Sequence, residues 1–232
     1  MKIVITGFLN TMSKPQRIAG LIYLPFHIII LPLFINMLAE YLPGGLSDTA
    51  ANAVYYGLGF AFCLICMWKY LRTAFDFLLD NVATNITAML FGGVSYLLLS
   101  YLASGVLFAI LGDEQVASNN ELISSLADES SRAIVALTVF VAPIVEEVLF
   151  RGVVFGTLAP KHRRLAFVSS IALFAFYNVW QLALSTMDLK MFLYMVLSIP
   201  MGYALAWVYE KTNCLWVPIF LHMLINILTV GV

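Results

Sequence analysis

Charge is scarce in this sequence. Only 11% of its 232 residues are Asp, Glu, Lys or Arg, against about 25% in an ordinary soluble domain. So few ionised groups cannot cover a water-soluble globule of this size, and the shortage equally excludes an intrinsically disordered chain. The charges nearly cancel, to a net −1, so there is no basic field to attract nucleic acid. Cysteine is sparse too. Cys63 and Cys66 share one apolar run and Cys214 stands near another, which gives no disulfide framework and no second pair for a metal site; helix packing accounts for them. Residues 3–9 are too short an apolar stretch for a cleaved signal, and the next long one reads as a full span.

Apolar surface is what the chain has in excess, with 62% hydrophobic residues and a mean hydropathy of +0.95. The lipid bilayer is the solvent that fits such a composition, and at roughly 20 residues per span the length allows about seven helices. Seven apolar segments stand out, at 18–39, 52–68, 87–111, 133–157, 165–185, 191–209 and 214–231. The expected fold is therefore all-α and polytopic, a multi-pass protein of the cell membrane. A three-helix region over 1–131 precedes a four-helix core over 132–232, in one integrated membrane domain. The longest polar break, 112–132, is an acidic loop in which 119–126 is expected to form a short helix capped by Asn119 or Asn120. Residues 73–84 read as an interfacial linker. No internal repeat is evident.

Orientation follows from the placement of Lys and Arg. With the N-terminus in the cytosol, Lys2, Lys14, Arg17, Lys69, Arg72, Lys161, Arg163, Arg164 and Lys211 fall on the cytosolic side. Arg132 and Lys190 alone fall opposite. This bias predicts an N-in, C-out topology. Arg151 remains, inside a span.

Ionised side chains at membrane depth are costly and need a reason. The fourth span holds Glu146, Glu147 and Arg151 in VEEVLFRG. Glu147 and Arg151 are four apart on one helix face, acid before base, the favourable order for a pair. Glu146 is rotated by about 100° and points elsewhere. A structural ion pair tying helices together is the plain reading; a second carboxylate with no cation of its own favours a functional one. Pro143 interrupts the backbone hydrogen bonding nearby. In the last span His222 and Asn226 share a face, and in the fifth Asn178 follows Phe174 by four, with Gln181 three further on. Each alone reads as an interhelical hydrogen-bonding residue. Counted inward from the cytosolic ends, Glu146 lies at about 16 Å, Asn178 at about 20 Å, His222 at about 12 Å and Asn226 at about 18 Å. One polar layer near mid-membrane is expected, where a carboxylate can act as general base on water and nearby donors can meet a developing oxyanion. Periodicity leaves open whether Tyr177, beside Asn178, reaches the same layer.

These residues resemble the motifs of the CPBP family, the CAAX proteases and bacteriocin-processing (Abi) enzymes. The pattern runs E-E-x-x-x-R, F-x-x-x-H, then H-x-x-x-N. Here Glu146-Glu147-Val148-Leu149-Phe150-Arg151 and His222-Met223-Leu224-Ile225-Asn226 match the first and third parts, within about 132–231. The resemblance implies an intramembrane endopeptidase with a glutamate-activated water. Glu146 would be the base, Glu147 and Arg151 its support, and His222 with Asn226 the oxyanion stabilisers. Its substrate would be a membrane-associated peptide or protein, with the lipid bilayer as surroundings and a membrane protein as a further possible partner. The second motif departs from the pattern, because Phe174-Ala175-Phe176-Tyr177-Asn178 ends in an amide, which orients water but accepts no proton at neutral pH. His27, in the first span, is a candidate for the missing imidazole. No cofactor is expected; zinc takes about three N, S or carboxylate ligands, and only Glu146 and His222 are evident. The alternative is a catalytically impaired relative acting as a membrane scaffold or bacteriocin self-immunity protein. A proton-coupled transporter is disfavoured by the odd span count and the lack of inverted repeats.

Overall fold

The computed structural model describes residues 8, 11–112 and 132–230. The acidic loop and the short helix expected at 119–126 lie outside the described residues. Within them the regular structure is all helical, without strands. Eight helices follow in order: α1 (Lys14–Tyr41), α2 (Asp48–Cys66), α3 (Trp68–Asp80), α4 (Val82–Leu111), α5 (Arg132–Leu158), α6 (Arg163–Ser185), α7 (Leu189–Thr212) and α8 (Trp216–Val230). All but α3 and α8 are long and apolar enough to cross a membrane. At about 22 Å, α8 is shorter than the roughly 30 Å hydrocarbon core.

Local sequence sets the boundaries. α1 starts at Lys14, earlier than hydropathy suggests, because Ser13 and Gln16 form a reciprocal capping box and Pro15 fits the first turn. Residues 73–84, expected as a linker, belong mostly to α3. Its Tyr70, Leu71 and Ala74 face inward while Lys69, Arg72 and Asp76 are exposed, an amphipathic pattern that keeps a helix in the interface rather than across it. Along α4, Leu90, Phe91, Leu97, Leu98 and Tyr101 are all exposed. No soluble protein tolerates so continuous an apolar face, and lipid is what covers it.

The interior forms where small residues let helices close up, as expected where lipid supplies no hydrophobic drive between helices. Gly92 of α4 lies against Val208 of α7, and Gly59 of α2 against Val145 of α5. A Cβ at position 59 would stand 2.8 Å from Val145 and 3.1 Å from the His27 ring. Gly59→Ala is therefore expected to destabilise the fold by about 1–3 kcal/mol through overpacking, read as a lower thermal midpoint in detergent.

Candidate active site

α5 carries the acidic motif at mid-length, Glu146 lying about 21 Å from the start of the helix and about 18 Å from its end. The helix is irregular there because Pro143 has no N–H to donate. Residues Leu137–Val141 and Val148–Phe155 widen into i→i+5 turns, and the Ala142 N–H reaches back to the Leu137 carbonyl. The two glutamates end the ordinary helical segment between them, Ala142–Glu147. Such widened turns are frequent at functional sites. They also leave a carbonyl for a neighbour: Asn226 of α8 donates its amide to Thr138 O at 3.1 Å.

Glu147 is completely buried. Its Oε1 accepts from Arg151 Nη1 at 2.8 Å and from His222 Nδ1 at 2.9 Å. Arg151, equally buried, also donates from Nη2 to the Gly202 carbonyl of α7 at 3.1 Å. Its guanidinium lies 4.6 Å from the centre of the Phe174 ring, whose edge-on partner is His222 at 5.9 Å. The Phe of the second motif thus packs on the Arg of the first and the His of the third. Four helices, α5 to α8, thus meet around the Glu147–Arg151 pair.

This network fixes the histidine. Arginine stays cationic and only donates, so Glu147 is an ionised acceptor, and Nδ1 of His222 must carry the proton shared with it. Nε2 is the ring nitrogen that faces the other carboxylate. It stands 3.7 Å from Glu146 Oε2, too far for a direct hydrogen bond.

Glu146 and His222, both nearly buried, lie on the wall of a cavity of about 390 Å³, within the size range of ligand pockets. Asn178 and Asn226 are on the same wall. Asn178 donates to Phe174 O of its own helix at 2.8 Å, and Asn226 is tied to Thr138 as described. Each therefore keeps one free amide N–H for the cavity. Glu147 and Arg151 lie behind the wall and do not line it. Among the described residues, no three His, Cys, Asp or Glu side chains are grouped to hold a metal ion.

His27 does not line the cavity. Its ring stacks on Tyr55 with centroids 4.5 Å apart, and Nδ1 is 3.4 Å from the Tyr23 hydroxyl. The aromatic layer separates it from the wall, so it does not replace the missing imidazole. Tyr177 does line the cavity beside Glu146, and its hydroxyl accepts from the Tyr55 hydroxyl at 3.2 Å. The first half of the chain contributes more than expected. Asp48, Asn52, Tyr55 and Tyr56 all line the cavity from α2, and their spacing of four, three and one is a helix-face pattern that the sequence already displayed.

Comparison with known proteins agrees with the motifs. Residues 128–228 match the family model of the Type II CAAX prenyl endopeptidase Rce1-like proteins. Over 181 residues the chain is 26% identical to a Bacillus subtilis (strain 168) protein named "Putative membrane peptidase YdiL", covering 76% of this chain and 70% of the relative. No solved structure matches. Both similarities point to a membrane peptidase.

Proposed function

We propose that this multi-pass membrane protein, similar in its C-terminal half to the CAAX prenyl endopeptidases, hydrolyses a peptide bond of a membrane-associated peptide with a water activated by Glu146. The observation that carries the reading is the facing pair of polar atoms, Glu146 Oε2 and His222 Nε2, 3.7 Å apart on a cavity wall. A water with hydrogen bonds of about 2.8 Å to both would sit roughly 2 Å to the cavity side of the line joining them. Glu146 takes one proton as the water oxygen attacks the peptide carbonyl, while Nε2 holds the other hydrogen. Collapse of the tetrahedral intermediate re-forms the carbonyl, breaks the C–N bond and returns the proton from Glu146 to the leaving amine. Glu147 positions His222, and Arg151 balances the charge of Glu147.

With His222 Nε2 engaged by the water, the donors to the oxyanion in this reading are the Tyr177 hydroxyl and the free amide N–H groups of Asn226 and Asn178. Tyr177→Phe keeps the ring and removes only the hydroxyl. It is expected to lower kcat by about 100-fold, the scale for one oxyanion donor, with little change in thermal midpoint. The test of the function is incubation of the purified protein in lipid vesicles with membrane-anchored peptides, read by mass spectrometry as new amino termini. Termini that form equally with Glu146→Gln remove Glu146 as the base.

One observation favours a second reading. Asn178, where the family motif has His, bonds back to its own helix and accepts no proton. A non-catalytic scaffold or self-immunity protein would keep the same cavity to hold a partner. A cellular phenotype that survives Glu146→Gln supports that reading.

A further inference from the structure

The cavity runs from buried groups to exposed ones in a single direction. At its floor are Glu146 and His222, nearly inaccessible. At its rim are Asn36 of α1, Asp48 of α2 and Gln181 of α6, all exposed. Each rim residue lies within about 8 Å of a helix end: the end of α1, the start of α2 and the end of α6. In an alternating bundle these three ends share one face. The opposite face carries Lys14 and Arg17 at the start of α1, Lys69 and Arg72 on α3, Lys161 between α5 and α6, Arg163 and Arg164 at the start of α6, and Lys211 at the end of α7. Cations concentrate on the cytosolic side of membrane proteins, which puts the rim on the other side of the membrane.

The wall has a sign as well. Its two charged side chains are the carboxylates Asp48 and Glu146, and no Lys or Arg lines it. Asp48 also begins α2, where a carboxylate favours the helix, but its side chain stands on the cavity rim.

We infer that the cavity opens to the non-cytosolic face of the membrane and admits a peptide segment bearing a positive charge, a Lys or Arg side chain or a free amino terminus, which Asp48 meets at the rim. This rests on the peptidase reading for its meaning as a substrate path. Hydrolysis by Glu146 then acts on chains already displayed outside the cytosol.

The experiment uses the full chain in membranes and needs no turnover, so its failure is separate from failure of the peptidase reading. With Cys66→Ser as background, Cys63 and Cys214 being buried, single cysteines are placed at the rim and one turn below it (Asn36→Cys, and Asn52→Cys four residues after Asp48) and on the opposite face (Lys69→Cys). Intact cells and inverted vesicles are treated with a thiol reagent that does not cross membranes. Rim cysteines are expected to react in intact cells and Lys69→Cys only in inverted vesicles. Trilysine is expected to slow labelling of Asn52→Cys several-fold where triglutamate does not, and Asp48→Asn is expected to abolish the difference. Rim cysteines that react only from the cytosolic face, or from neither, overturn the direction of access. Equal protection by the two peptides, or a trilysine preference unchanged in Asp48→Asn, overturns the assignment of Asp48.

Discussion

Glu146→Gln is expected to lower peptide hydrolysis by about 1,000-fold, within the range for removal of a positioned general base. The change is nearly isosteric and the residue lies on a cavity wall rather than in packed interior, so folding and detergent-extracted yield should match the parent protein. An amide can still hold the water but cannot take its proton, which confines the loss to kcat. The measurement is the rate of new amino-terminus formation at saturating peptide, with thermal midpoints recorded in parallel. Similar loss with an unfolded variant would be uninformative, and the parallel midpoint prevents that confusion.

The second large effect is on stability. Arg151→Met is expected to destabilise the fold by about 3–5 kcal/mol, because Glu147 is left as an uncompensated charge with no exposure to water. His222 alone remains on its Oε1, and Gly202 O loses its donor. Combining Glu147→Gln with Arg151→Met removes both charges and should recover most of the loss, since replacing a whole buried pair costs far less than breaking it. Thermal unfolding in detergent of the two single variants and the double one measures the coupling. Activity need not return in the double variant, because an amide at 147 no longer fixes the protonated nitrogen of His222 by charge.

The membrane fold was legible because its cause is compositional. Spans with almost no charge can only be lipid-facing helices or helices packed among them, and the long exposed apolar face of α4 follows from residues 87–111 read alone. The Glu147–Arg151 contact follows from a four-residue spacing on one helix. Several features needed three dimensions. Spacing cannot say which glutamate holds His222, since that depends on the rotation of α8 against α5. The Asn226 bond to Thr138 O exists because the helix around Pro143 is widened, and a sequence shows the proline but not how the backbone absorbs it. Tyr177 and Asn178 are about 100° apart on one helix, and only packing decided that the tyrosine hydroxyl faces Glu146. The polar face of α2 was visible in Asp48, Asn52, Tyr55 and Tyr56 but had no partner in the C-terminal motifs to give it meaning.

Hydrolysis by Glu146 requires that Glu146 and His222 share one water in a wet cavity. A structure of the protein in lipid, at a resolution that shows ordered water, tests this most directly. A water is expected within about 3 Å of both Glu146 Oε2 and His222 Nε2, with His222 Nδ1 still on Glu147. Hydrocarbon side chains or lipid filling the space between those two atoms, or His222 turned away from Glu147, would contradict it.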